Sequence, residues 1–184
     1  MHVLGIDVGG SGIKGALVDL ERGELACKRL RLKTPASFQM DKVGRKIARL
    51  IKQTEHPGPV GVGFPAAVAQ GVVLTPPTAH EFAGWVDQAV DRHLSEFTGR
   101  EVTVLNDADA AGLAEMRFGA GRGINGVVLT ITLGTGVGAV LFMDGKLVPN
   151  LELGKIFLPR HAETAEQYMA GRIKKEHGLD WREY

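Results

Sequence analysis

An α/β fold built from two copies of one unit is what the sequence predicts, and three observations carry it. Residues 126–155 contain an apolar run, the Gly-rich turn LGTGVG and a second apolar run. Val, Ile and Thr dominate both runs, which favours strands over a helix. Residues 3–19, VLGIDVGGSGIKGALVD, have the same form, so that laying Gly9 on Gly134 puts Asp7 opposite Thr132 and Asp19 opposite Asp144. Between the two copies, stretches with apolar residues at helical spacing alternate with short Val-rich runs, the order of an α/β unit.

Composition bounds the reading. Of the 184 residues, 44% are hydrophobic and 23% charged, as in an ordinary globular chain. A net charge of +1 points to neither a nucleic-acid nor a membrane surface, and neither partner is expected. The single cysteine, Cys27, excludes a disulfide framework and a cysteine-based metal site; it reads as a buried or half-buried strand residue. No signal peptide precedes the first strand and no apolar run is long enough for a bilayer, so a cytoplasmic location is expected.

In chain order, residues 2–8 and 13–20 form the first hairpin. Residues 25–33 read as a third strand, with Leu30 and Leu32 alternating against Arg29, Arg31 and Lys33. Residues 38–54 carry Val43, Ile47, Leu50 and Ile51 at helical spacing. Residues 60–64 read as a buried strand covered on both faces. The loop leaving it, Pro65-Ala66-Ala67, is a candidate cleft wall, because ligands bind at such carboxyl ends. A short strand over 72–74, a Pro-rich loop over 75–80 and a helix over 85–97 follow. Next come a strand over 102–105, a helix over 106–118, and the second hairpin at 127–131 and 139–142. A loop over 149–159 and one polar helix over 162–177 complete the order. The second copy stops after one helix, which reads as a truncated unit. The expected domains are residues 1–105 and 106–184.

The Gly-rich turns are where chemistry is expected. Without a Cβ, glycine lets backbone N–H groups approach a ligand, and consecutive amides form a concavity suited to phosphate. Two such hairpins facing one another would clamp a chain of phosphates. Asp7 at a strand end suits Mg2+, directly or through water, and Lys14 sets a cation against a phosphate. Asn106, Asp107 and Asp109 stand where a buried strand becomes a helix; a helix cap and a general base are both open there. Glu152 and Lys155 are either ligands for neighbouring hydroxyls of a polyol or surface charges.

These residues sit in motifs that resemble the ROK family of sugar kinases and repressors, within the actin-like ATPase superfamily with its ribonuclease H-like duplication. The motifs are GIDVGGSGIKGALVD at 5–19, GVGFPA at 61–66 and VTVLNDADAAGLAEMRFGAG at 102–121. They continue with ITLGTGVGAVLF at 131–142, DGKLVPNLELG at 144–154 and AEQYMAGRIKKEHGLDW at 165–181. Within the family the polyphosphate glucokinases are most similar. The resemblance implies a two-domain sugar kinase that moves a phosphoryl group from polyphosphate, ATP or both to the 6-hydroxyl of glucose or a related hexose, with Mg2+ and no zinc, in a homodimer. It implies Asp107 as catalytic base and Asn106, Glu152 and Glu166 as sugar ligands, with Glu163 a rival for Glu166 and with Phe64 and Pro65 at the sugar's side. Gly9, Gly10, Ser11, Gly12 and Lys14 match the first phosphate loop. Thr132, Gly134, Thr135 and Gly136 match the second, and Asp7 matches the acid near Mg2+. Lys155 stands where the family's Glu-x-Gly-His motif has histidine; an ammonium only donates, whereas imidazole donates and accepts. A repressor would carry a helix-turn-helix before the first strand, which here begins at residue 2.

Overall fold

A computed structural model of the chain describes residues 1–78, 83–134, 136–180 and 182–183. Strand β1 (His2–Val8) pairs antiparallel with β2 (Ile13–Asp19), Val8 opposite Ile13 and His2 opposite Asp19. The expected third strand is broken. It divides into β3 (Glu24–Leu25) and β4 (Leu30–Leu32), both paired with β2. Between them the Leu17 N–H donates to Cys27 Sγ at 3.3 Å. Sulfur is a weak acceptor, and the ladder lapses where a thiol stands in for a carbonyl. Cys27 is half-buried as expected, in the break rather than in a strand.

Helix α1 (Met40–Thr54) starts two residues inside the expected range. It buries Val43, Ile47, Leu50 and Ile51 as one stripe, and each such side chain contributes about 1.5–3 kcal/mol. Phe38, just before it, belongs to an aromatic cluster with Phe64 and Trp85, ring centroids 4.8–6.0 Å apart. Strand β5 (Val60–Phe64) runs parallel to β1. The expected strand over 72–74 is the shorter β7 (Val72–Val73), paired with an unforeseen β6 (Val68–Ala69). The Pro-rich loop is described only as far as Thr78. Trp85 closes a 3-10 turn (Ala83–Trp85) instead of opening a helix, because its indole is buried and donates to the Phe38 carbonyl at 2.6 Å. Helix α2 (Val90–Thr98) follows.

Strand β8 (Val102–Asn106) lies parallel to β5 and completes a first sheet of order β3-β2-β1-β5-β8, with β4 beside β2. Helices α1 and α2 cover one face, burying Leu4, Ile6, Val8, Val60, Val62, Phe64, Val102 and Val104. The other face of β5 is Gly61 and Gly63. Nothing lies within 4 Å of where a Cβ on Gly61 would be. The expectation of a strand covered on both sides is met only in part: the helix starting at Asp107 lies against Gly63, while Gly61 is left uncovered.

Helix α3 (Asp107–Phe118) crosses that face. It begins against Gly63 and ends where Phe118 covers Gly23 and Arg117 donates to the Leu20 carbonyl at 3.2 Å. Its other side carries a second sheet of order β11-β10-β9, from β9 (Val127–Leu133), β10 (Val137–Met143) and β11 (Lys146–Val148). The contact is tight, since a Cβ on Gly112 would come within 2.8 Å of Val140. Strand β11 was not foreseen; Asp144 and Gly145, at φ 49° and 74°, make the tight turn that returns it.

The chain then makes a 3-10 turn (Leu153–Lys155) and two short helices, α4 (Ala165–Met169) and α5 (Gly171–Glu176). The single helix expected over 162–177 breaks at Ala170, whose ψ is 146°. The cause is the second Gly-rich loop: Gly171 packs on it so closely that a Cβ would lie 2.7 Å from the Leu133 carbonyl, and the Arg172 N–H donates to the Gly134 carbonyl at 3.2 Å.

Candidate active site

Asp7 lies in the row of the first sheet that runs Lys14, Asp7, Gly63 across three strands. Odd positions of β1 face away from α1, so its carboxylate stands on the open side, where Lys14 Nζ donates to it at 2.7 Å. Gly63 carries no side chain, and the Asp107 Cα lies 3.5 Å from where one would begin. Asp7 and Asp107 thus flank the same glycine. The sheet register and one missing side chain bring together two acids a hundred residues apart.

Asn106 ends β8 and caps α3. Its Oδ1 accepts the Asp109 N–H at 3.0 Å and its Nδ2 donates to the Ala66 carbonyl at 3.0 Å. With the cap supplied by Asn106, Asp107 is released from that duty. Asp107 is reachable by water, yet the walls around it penalise its charge, and its pKa is pushed up to about 6. Burial contributes most to the rise. The Ala108 N–H, at 2.9 Å, opposes it, and the carboxylates of Asp7 and Glu152 add to it. A carboxylate titrating there suits proton abstraction near neutral pH. Asn106 is buried and spends one amide hydrogen and one oxygen lone pair on backbone, which leaves one of each.

Asp109, 2% exposed, serves a different purpose. Its Oδ2 accepts the Asn150 N–H at 3.1 Å, and the Asn150 side chain accepts from the Val68 N–H at 2.9 Å and donates to the Val68 carbonyl at 3.0 Å. Burial raises the Asp109 pKa, and the Asn150 N–H offsets part of that rise. These bonds tie the loop bearing Glu152 to the wall after β5. Sequence reasoning missed Asn150. The available signal was Pro149-Asn150 at a chain reversal, since Asn tolerates the positive φ of 60° found there.

Glu152, Lys155 and Glu166 form one group. Lys155 Nζ donates to Glu166 Oε1. Burial raises the Glu152 pKa most; Lys155 opposes that, and Glu166 and Asp109 add to it. Glu166 also lies over Gly136, where a Cβ would meet its Oε2 at 2.5 Å. Of the two rivals, Glu166 is in the group and Glu163 is exposed outside it.

The Gly-rich turns are less open than expected. The Gly9 N–H donates to the Gly12 carbonyl at 3.2 Å and the Gly134 N–H to the Gly136 carbonyl at 3.0 Å. Each turn closes on itself and takes its first amide out of phosphate binding. Thr34 Oγ1 holds the first turn through the Gly9 carbonyl at 2.6 Å. Gly10 and Ser11 lie at that turn's tip, and Thr135 falls outside the described residues. Thr132 lies beside Gly138 near Ala108, at the start of α3. Two expected residues are not brought to the cleft by their side chains: Phe64 is fully buried in the aromatic cluster on the opposite face, and Pro65 is buried with its carbonyl accepting the Thr78 N–H at 2.9 Å.

No group of three or more His, Cys, Asp or Glu side chains that could hold a metal occurs among the described residues. Asp7, at a strand end, is nevertheless of the type that suits Mg2+, which takes one or two carboxylates when substrate phosphates and waters supply the other oxygens.

Residues 3–152 match the family model described as ROK family. The chain belongs to the ROK family. It is 42% identical over 181 residues to a polyphosphate glucokinase of Mycobacterium tuberculosis (strain CDC 1551 / Oshkosh), a match covering 98% of this chain and 66% of that protein. A crystal structure of inorganic polyphosphate/ATP-glucomannokinase from Arthrobacter sp. strain KM superposes with TM-score 0.90 at 41% identity, covering all of this chain and 74% of the other. A ROK family glucokinase from Streptomyces griseus, in complex with glucose and AMPPNP, gives TM-score 0.78 at 29% identity, over 94% of this chain and 58% of that one. The α/β architecture is accordingly the actin-like ATPase fold of ROK proteins, and the chain spans about two thirds of the length of the mycobacterial relative.

Proposed function

We propose that this chain carries the catalytic cleft of a glucokinase-type phosphotransferase. It moves a phosphoryl group from inorganic polyphosphate, ATP or both to the 6-hydroxyl of glucose or a related hexose. The observation that carries the reading is Asp107: uncapped by duty, set beside Asp7 across Gly63, and raised to about 6. Its carboxylate takes the hydroxyl proton, the sugar oxygen forms a bond to the terminal phosphorus, and the phosphoanhydride bond breaks to release a donor shorter by one phosphate. Phosphoryl transfer asks for positioning and charge stabilisation more than covalent chemistry. Glu152 and Glu166 orient the hexose, and Lys14 with the later amides of the first turn holds phosphate. Mg2+, held by Asp7 directly or through water, would neutralise charge on the transferring group.

The names of the mycobacterial and Arthrobacter relatives support polyphosphate as a donor beside ATP. A coupled assay for hexose 6-phosphate, run with each donor on the full-length protein, tests the reading. Asp107→Asn should retain sugar binding and lose turnover by at least ~10²-fold, the low end for losing a general base. Turnover that survives the substitution returns Asp107 to a structural role. The alternative, a sugar-binding protein without catalysis, is not favoured by the relatives, which are named as kinases. Hexose binding with no product from either donor would select it.

A further inference from the structure

We infer that Arg31 and Lys33 form a track for the polyphosphate chain, leading from the first Gly-rich turn along β4 to the sheet edge. The inference rests on the kinase reading for its ligand class and on geometry for its place. Arg31 is the cross-strand partner of Lys14, which is the partner of Asp7. Side chains in one cross-strand row share a face, and two strand spacings put Arg31 roughly 10 Å from Asp7. The basic row therefore starts at the cleft and leads outward.

Arg31 is built into the phosphate loop. Its Nη2 donates to the Ser11 carbonyl at 3.4 Å and to Ser11 Oγ at 3.3 Å. The guanidinium lies so close over Gly12 that a Cβ there would come within 2.5 Å of Nε. Gly12 has no positive φ, so the turn itself does not demand glycine there. An open groove of about 380 Å3 is lined by Ser11, Arg31 and Lys33. Leu30 and Leu32 turn toward the core, so the basic residues between and beyond them stay on the solvent side.

The charge in this groove is unpaired. Among the described residues neither Arg31 nor Lys33 takes part in an ion pair, whereas Lys14 is held by Asp7 and Lys155 by Glu166. An arginine fork on β4 and a lysine just past the end of that strand, about 6.6 Å apart if the chain continues extended, suit an anion with charge repeated along its length. A single phosphate or a short donor would end at the turn. The track therefore distinguishes donors by chain length, and it acts on binding, not on the transferring atom.

Binding of long-chain polyphosphate and of tripolyphosphate is measured by equilibrium dialysis on the full-length protein, for the unsubstituted form, Lys33→Glu and Arg31→Glu. Lys33→Glu should weaken long-chain binding about tenfold or more, leave a smaller loss for tripolyphosphate and flatten the salt dependence. Arg31→Glu should do the same with an added loss for both ligands, because Arg31 also supports the turn. Among the described residues the Lys33 side chain makes no hydrogen bond or ion pair, so its substitution keeps the test independent of loop folding. Equal losses for the two ligands with Lys33→Glu, or none, would overturn the track. Tighter binding of a single-stranded oligonucleotide than of polyphosphate of equal charge would also overturn it, assigning the groove to nucleic acid. If the unsubstituted protein makes no hexose 6-phosphate from either donor, the kinase reading fails while the dialysis result still decides the track.

Discussion

At the scale of single residues, the site works because neighbouring polar groups divide their tasks. Asn106 caps α3, Asp109 anchors Asn150, and Asp107 between them faces the cleft. Keeping Asp107 ionised there has a cost to the fold that runs in a definite direction with pH. Its folded pKa, about 6, lies above the ordinary 3.8, so the folded state holds the proton more tightly. The stabilisation from protonated Asp107 is complete below 3.8 and is lost as pH rises through about 6. Asp107→Asn, neutral at all pH, should therefore raise Tm at alkaline pH, and the gain should shrink as pH falls through about 6. Thermal unfolding of both forms across that range checks it; a gain independent of pH would show that the charge of Asp107 is not what burdens the fold. If Asp107 is the base proposed above, turnover should show the complementary dependence, rising through the same range as its carboxyl loses its proton.

At the scale of elements, the loop between β11 and α4 is positioned by the three bonds at Asn150, which join it to Asp109 and Val68. Asn150→Gly keeps the positive φ of 60° available and deletes both side-chain bonds, at a cost of about 1–3 kcal/mol in urea unfolding. Asn150→Ala should cost about 1–2 kcal/mol more, since an L side chain resists that conformation. Both should raise the KM for hexose while leaving that for the phosphoryl donor near its original value; a hexose KM that does not move means the loop holds itself. What the sequence made legible follows from the range of the forces. The hairpins, α1, β5, β8 and α3 were readable because local periodicity and Gly-rich turns encode them. Elements settled by distant contacts were not. The break at Cys27 depends on Leu17, the late start of α2 on Trp85 reaching Phe38, and the split at Ala170 on the Leu133 carbonyl. The acids of the site were legible as residue types at strand ends, whereas the Asp109–Asn150–Val68 link spans up to 82 positions and leaves no local pattern. Phe64 was misplaced because alternation fixes which residues share a face and leaves open which face is the core.

At the scale of the whole molecule, α3 is the wall common to both sheets, with Gly63 on one side and Val140 and Phe142 against Gly112 on the other. The first sheet is closed by α1 and α2. The second has one face on α3 and the other outward, where Val127, Leu129, Ile131 and Met143 are 67%, 48%, 54% and 55% exposed. Register puts Val127 opposite Met143 and Leu129 opposite Leu141, so Val127, Leu129, Ile131 and Met143 lie on one face of the sheet. Strand β9 is also a sheet edge, with a row of backbone groups unpaired by any strand among the described residues. An open apolar face beside an open edge is the combination that draws strands together between chains. Residues 1–184 in isolation should therefore self-associate with rising concentration, and Leu129→Lys with Ile131→Lys should return them to monomer, as read by analytical ultracentrifugation. In the monomer, amide hydrogens of β9 should exchange faster than those of β5, which lies between two paired strands above the aromatic cluster. Equal protection of β9 and β5 in a monomeric 184-residue chain would show that the second sheet is stable without cover, and would remove the basis for association through it.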